Sequence, residues 1–311
     1  MKIAQKDPKK YIEIERQMLL THLADRELVQ NRARIFAGEG AAPAIFCDRG
    51  GIDTKSYLPE GIFEAILEEE RLTLWDVRDS YDAVMYLRSA AFGAEKYYTT
   101  ANNSARLEKN PKLAREADER TLRVWIGHPH LKIIESCENF EKKMGRALQA
   151  ILNVIGDPRS ANSGGSAVEI ERKFLLKRKP DFSSRHFRNG RSTCVSIEQM
   201  YLGDGKRIRK ASQNGYNAYY IVESSISALD YIYLSEKRDL SAQIIQKKRH
   251  YFVWENQYFE LDVFHEPKKL CLLEIELIDE NDDIKLPPFL KIDREVTGDP
   301  KYSNHGIARG L

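Results

Sequence analysis

Val168-Glu169-Ile170-Glu171-Arg172-Lys173-Phe174 alternates with a period of two, and that period constrains it to a β-strand. One face of the strand carries Glu169, Glu171 and Lys173. The other carries Val168, Ile170 and Phe174, with Arg172 the single charge there. On a half-buried sheet a charged face is ordinarily the solvent face. One strand alone would carry no more meaning than that, but the C-terminal half of the chain repeats the device.

After this strand, residues 196–202 end at Gly203-Asp204-Gly205, a hairpin signal, and the return strand sets Arg207 and Arg209 on one face. Residues 216–223 and 230–238 read as further strands. Residues 244–252 bring Lys247 and Arg249 together. A turn at Asn256-Gln257 leads into 258–264, where Glu260 and Asp262 share one face and Phe259, Leu261 and Val263 the other. Residues 272–278 repeat the opening pattern with Glu274 and Glu276. A closed antiparallel β-barrel with a charged lumen satisfies all these strands at once and abolishes open edges. The expected fold of residues 168–311 is therefore an α+β closed antiparallel barrel, a tunnel.

Such a lumen needs counter-charges. Clustered carboxylates repel one another unless a hard cation sits among them, which points to Mg²⁺ or Mn²⁺. Clustered Arg and Lys call for a polyanion, with Arg offering forked contacts to phosphate. A metal-bound phosphate chain satisfies both, and its in-line hydrolysis is assisted by positioning and charge neutralisation. Each pair taken alone reads equally as a solvent-side salt-bridge ladder; the set across five strands carries the functional reading.

The N-terminal half reads differently. Residues 8–36 are helical, and residues 43–47 form a short apolar run delivering Asp48 and Arg49. That run is expected to be a buried strand whose carboxyl end faces a ligand. Further strands are expected at 81–87 and 131–135, with helices at 59–71, 111–126 and 138–155. Strands alternating with helices predict a parallel α/β sheet over residues 1–156. Residues 157–167 are small, polar and Gly-rich, a linker.

Composition narrows the class. The chain has 311 residues, 42% hydrophobic and 31% charged, and no apolar run approaches the roughly 20 residues of a membrane span. Its net charge of +2 argues against a specific nucleic-acid partner. Cys47, Cys137, Cys194 and Cys271 form no paired motif, so a reduced cytoplasmic setting is expected.

Two resemblances follow. Glu169-Ile170-Glu171-Arg172-Lys173 resembles the E-x-E-x-K signature of CYTH domains, the triphosphate tunnel metalloenzymes, and Arg207-Ile208-Arg209 resembles their R-x-R strand. Residues 258–262, 273–277 and 295–304 are similar to their later acidic strands and closing motif. The resemblance implies that Glu169, Glu171, Glu274 and Glu276 bind metal, and that Lys173, Arg207, Arg209, Lys247 and Arg249 bind phosphate. It also implies that Asp262 is a catalytic acid that binds metal or orients water. The chain departs from that family at Tyr219-Tyr220-Ile221-Val222-Glu223, which offers no base on the strand after R-x-R.

In the N-terminal half, Phe46 to Gly50, Ala90 to Glu95 and Trp125 to Leu131 resemble an AAA/kinase-like P-loop NTPase domain, as in the TRPL translocation defect protein fourteen family. That resemblance implies nucleotide binding through Asp48, Arg106 and Arg115. The chain nevertheless contains no G-x-x-x-x-G-K-[ST], the loop that cradles phosphates at a helix N-terminus. The P-loop fold is thus expected to be incomplete, with its first strand and loop either upstream of Met1 or lost, and nucleotide affinity there weak or absent.

The function expected from the sequence is metal-dependent binding and hydrolysis of a tri- or polyphosphate or a nucleoside triphosphate in the C-terminal tunnel. The alternative is a non-catalytic module that binds GTP or phosphoinositide headgroups in membrane-protein trafficking.

Overall fold

The structure, a computed structural model, describes residues 7–37, 43–97, 108, 110–137, 139–156, 169–188, 190–222 and 224–311. It divides into two compact units, Met1–Val168 and Glu169–Leu311. The linker 157–167, Val168, Arg106 and Glu223 lie outside the described residues.

The first unit opens with helix α1 (Pro8–Phe36). Asp7 caps it by accepting from the Lys10 N–H at 3.0 Å, and Pro8 occupies the first turn, where a missing N–H costs nothing. Short helices α2 (Ile62–Glu69) and α3 (Leu74–Val77) precede strand β1 (Val84–Leu87), helix α4 (Pro111–Trp125), strand β2 (Leu131–Ile134) and helix α5 (Phe140–Ile155). Leu19, Ile52, Phe63, Val77, Leu122, Trp125 and Ile134 are buried in this unit. Strands β1 and β2 pair in parallel, Val84 opposite Leu131 and Leu87 opposite Ile134. Among the described residues the expected parallel sheet amounts to this one pair.

Residues 43–47 correct an expectation: they form no strand, and Phe46 is 71% exposed. An apolar run becomes a buried strand only where a neighbour accepts its backbone groups, and no described strand pairs with this one.

The second unit is a nine-stranded antiparallel sheet. Its strands are β3 (Ile170–Leu176), β4 (Ser192–Tyr201), β5 (Arg207–Gln213), β6 (Tyr216–Ile221), β7 (Ser224–Ser225), β8 (Ile245–Trp254), β9 (Gln257–Glu266), β10 (Cys271–Leu277) and β11 (Ile292–Glu295). The order is β11-β3-β10-β9-β8-β4-β5-β6-β7. Tight turns set the registers. Asn214 and Gly215 join β5 to β6, and Glu255 and Asn256 join β8 to β9, all four with positive φ.

The expected closed barrel is not formed. Among the described residues the two ends of the order, β11 and β7, do not pair with each other, and they are only four and two residues long. Strands this short cannot supply a ladder to seal a seam. The sheet is strongly curled all the same. Glu169, just before β3, acts electrostatically on Arg207 of β5, five places along the order. A flat sheet would separate those strands by ~24 Å. The result is a trough.

Residues 230–238 are the other correction: most of them belong to helix α6 (Ala228–Glu236). Ser227 caps it by accepting from the Asp230 N–H at 3.1 Å, and Tyr231 and Leu234 pack beneath it against Met200 and Ile208. The convex face of the sheet is apolar. Phe174, Phe252, Phe259, Leu261, Leu273 and Ile275 form its core, covered by Phe182, Phe187, Phe289 and Leu290. At one end of the concave face a C-terminal helix, α7 (Asn304–Arg309), packs Ile307 and Ala308 onto Tyr201, Ile245, Phe264 and Leu272.

Candidate functional site

Strand registers place the charged rows on the concave face. Glu171 lies directly opposite Glu276, and Lys173 opposite Glu274. Glu274 in turn faces Glu260. Asp262 faces Arg249, and Glu260 faces Tyr251. Beyond β8, Gln199 of β4 faces Arg209 of β5, and Tyr201 faces Arg207. The acids therefore cluster on β3, β10 and β9, and the cations, Lys173 of β3 excepted, on β8 and β5. Charge is largely sorted across the trough, and the two kinds meet where β9 pairs with β8 and around Lys173.

That seam is dry. Asp262 is fully buried, and both its oxygens are engaged. The Arg249 guanidinium donates to them from Nε and Nη2, each at 2.7 Å, and Lys247 Nζ donates to Oδ2. Arg249 also pairs with Glu260 and, at 3.3 Å, with Glu274. Lys173 Nζ pairs with Glu274 at 3.1 Å and with Glu171 at 3.3 Å. Glu274 is thus held between the cations, whereas Glu169 and Glu171 stay exposed. A Glu169 carboxylate oxygen lies within 4.8 Å of one from Glu276.

The electrostatics follow from burial and partners. Burial alone would raise the Asp262 carboxyl, but Arg249 and Lys247 overcome it and hold it well below the usual range. Burial pushes Glu260 up to about 8; Arg249 opposes the shift, and Glu276, Glu274 and Asp262 reinforce it. Arg249 divides its charge among three acids, and Asp262, held by two of the guanidinium nitrogens, has the better geometry. Burial lowers Lys247 despite Asp262, and lowers Arg207 with the help of Arg209. Burial also acts to lower Lys173, but Glu274 and Glu171 outweigh it and raise the group. The Arg209 guanidinium lies over the Tyr220 ring, 5.0 Å from its centre, at the position where the sequence offers no base.

The structure thus brings all ten charged residues expected for the tunnel onto one face. Sequence reasoning gave no role to Glu260, although it counted it on that face, and none to Tyr251, Thr297 or Asn304. Thr297 accepts from the Lys173 N–H at 2.9 Å and donates to Glu295. Glu295 in turn clasps Arg172, the odd charge on the apolar face, with one bond of 2.5 Å. The 295–304 segment therefore buttresses β3.

In the first unit two of the three expected nucleotide residues, Asp48 and Arg115, are among the described residues. Asp48 is exposed, and Arg115 donates to the Ala91 carbonyl at 2.9 Å and pairs with Glu95 at 3.4 Å. No hydrogen bond or ion pair joins Asp48 to Arg115 among the described residues, and Arg106 lies outside them. Five residues after Asp48, Asp53 is buried, and it accepts from Trp125 Nε1 at 2.7 Å and from the Gly50 N–H at 3.2 Å. Nothing in its spacing distinguished it from Asp48.

No protein-family model matches the chain. An inorganic triphosphatase of Acetivibrio thermocellus is 35% identical over 154 residues, a match spanning 45% of this chain and 93% of that protein. Two crystal structures of NE1496, one described as a hypothetical protein and one as an inorganic triphosphatase, are each 27% identical to this chain. Each covers 46% of it, and 99% and 96% of their own chains, with TM-scores of 0.34 and 0.33. The PH1012 protein of Pyrococcus horikoshii OT3 is 16% identical, covers 36% of this chain and 81% of its own, and has a TM-score of 0.23.

Proposed function

Because this chain belongs, over about 45% of its length, to the inorganic triphosphatase family of CYTH-type tunnel enzymes, we propose that the trough of the second unit binds a triphosphate and hydrolyses it. The observation that carries this reading is the sorting of charge across the sheet. A phosphate chain laid over β8 and β5 meets Lys247, Arg249, Arg207 and Arg209. Its outer oxygens then face the acids of β3 and β10, an arrangement that invites a bridging cation.

The donor set fits such a cation. Glu171 and Glu276 are like charges directly opposed, which is unfavourable without a counter-ion, and Glu169 comes close to Glu276. All the donors are carboxylate oxygens, suited to Mg²⁺ or Mn²⁺. Glu169, Glu171 and Glu276 would hold the ion, with Glu274 at the boundary. Bound there, it would neutralise charge on the scissile phosphoryl group. Arg249 and Lys247 fix the chain, and Arg207 and Arg209 take up the charge that develops on the leaving group. Water attacks the terminal phosphorus, the bond to the bridging oxygen breaks, and the products are orthophosphate and pyrophosphate. Asp262, with both oxygens engaged, acts through the two cations it holds.

Phosphate release from tripolyphosphate and from ATP, with Mg²⁺ or Mn²⁺, tests the reading against Glu169→Ala and Glu276→Ala. Metal-dependent release lost in both variants is expected; release no greater than theirs would sink it. Binding without release would favour the non-catalytic reading, for which the missing base beside Tyr220 is the specific observation.

A further inference from the structure

We propose that Asn304 is a positioning residue for Lys247, and that helix α7 is docked so as to keep it there. This inference rests on the reading of the trough as a triphosphate site. Lys247 is 4% exposed and stands in the middle of the concave face. Its ammonium has three N–H groups. One donates to Asp262 Oδ2 and one to Asn304 Oδ1 at 2.9 Å, and the Phe264 ring centre lies 4.9 Å away. Two neighbours on different elements therefore fix the direction of the third N–H.

A single carboxylate would not fix it. Lys carries a flexible four-carbon stem, and one ion pair leaves the ammonium free to rotate about its own axis. A second carboxylate would fix it but would put another negative charge where an anion has to bind. An amide oxygen gives the second contact without that charge. This accounts for an amide at 304 on a face where Lys173 and Arg249 pair with carboxylates.

The rest of α7 behaves as a mount. Ser303 caps it by accepting from the Gly306 N–H at 2.9 Å. Arg309 Nη2 donates to Asp239 at 2.6 Å, and the Gln243 N–H donates to the Ala308 carbonyl at 2.8 Å. A Cβ on Gly306 would lie 1.9 Å from the Pro300 carbonyl oxygen, so the turn before the helix lies in direct contact with it. His305 meets Tyr201 edge-on, ring centres 5.0 Å apart, and Tyr201 in turn accepts from Gln199. Asn304 and His305, adjacent in the helix, thus meet polar side chains of the trough, beside the apolar packing of Ile307 and Ala308.

The test uses the full-length protein and tripolyphosphate with Mg²⁺. Asn304→Ala should lower kcat/KM by about tenfold to a hundredfold, the scale of a misplaced binding group, while the thermal midpoint stays within about 2 °C. In a Lys247→Met background the same change should have no further effect on tripolyphosphate affinity, read by calorimetry. Asn304→Asp separates positioning from helix initiation. At a helix start Asp is as good as Asn or better, so a merely structural role predicts unchanged KM. The positioning role predicts a raised KM from the added charge, with the fold intact. An Asn304→Ala loss that persists undiminished in Lys247→Met overturns the inference, as does wild-type kcat/KM in Asn304→Ala. If the wild type neither binds nor hydrolyses tripolyphosphate, the functional reading falls first and this inference with it.

Discussion

Asp262 and Glu171 are both acids of the trough, but their environments assign them opposite energetic weights. Asp262 is fully buried and serves two cations. Removing it leaves Lys247 and Arg249 buried with their main counter-charge gone, which costs about 3–5 kcal/mol. The Glu171 side chain is 46% exposed, so its pair with Lys173 contributes about 1 kcal/mol or less. Urea denaturation should therefore show a large loss for Asp262→Ala and almost none for Glu171→Gln. The two acids of β9 also respond oppositely to pH. Asp262, depressed in the fold, contributes stability above the ordinary carboxylate range near ~3.9, lost only as pH falls through its lower folded value. Glu260, raised to about 8, works the other way. Its contribution is full below ~4.3, the ordinary value, and is lost as pH rises through the folded one. In chelator-containing buffer the urea midpoint should fall between those limits, and Glu260→Gln should flatten that fall. A profile identical to wild type in Glu260→Gln would mean that Arg249 holds this carboxyl ionised.

At the level of elements, α7 is where packing and chemistry are joined. Gly306→Ala forces a methyl group against the Pro300 carbonyl, and since backbone cannot swing away as a side chain can, the helix has to shift. Overpacking of this kind costs about 1–3 kcal/mol. The shift should also detach Asn304 from Lys247, so Gly306→Ala should lower both the thermal midpoint and tripolyphosphate turnover; a stable variant with full turnover would show that α7 tolerates displacement. This coupling was not legible in the sequence. What was legible had a period of two: Glu169 to Lys173, Lys247 with Arg249, Glu260 with Asp262 and Glu274 with Glu276 all sit on the face the alternation assigned. Alternation fixes which way a side chain points, but says nothing of which strand lies beside which. The closed barrel was therefore expected where the strand order is open. Residues 230–238 read as a strand because Tyr231-Ile232-Tyr233-Leu234 has strand composition, and the cap at Ser227 overrides it. Residues 43–47 failed for the converse reason, having strand composition and no described partner. Asn304 reads in the sequence only as the end of the 295–304 closing motif, because its role depends on a contact 57 positions away, at Lys247.

For the whole molecule, the two units differ in what charge does inside them. The two fully buried arginines of the first unit are paired within small clusters: Arg78 with its neighbour Asp79, and Arg88 with Asp118 and Glu119 of α4. The buried charges of the second form one network from Lys173 through Glu274 and Arg249 to Lys247, on a face lined by further cations. A network that gathers cations on one flank has something to gain from an anion, and locally matched pairs have little. Each unit also has its own buried apolar core, so each should melt as a cooperative body, and calorimetry should resolve two transitions. Asp262→Ala should lower one of them and leave the other in place, which identifies the trough's transition. A ligand that binds only folded protein stabilises it by RT ln(1 + [L]/Kd), about 2.7 kcal/mol at a hundredfold excess over Kd. Tripolyphosphate with Mg²⁺ should therefore raise the transition that Asp262→Ala lowers, and no other. If it raises the other transition instead, the anion site lies in the first unit, and the charge sorted across the second serves only to hold its sheet in a curl.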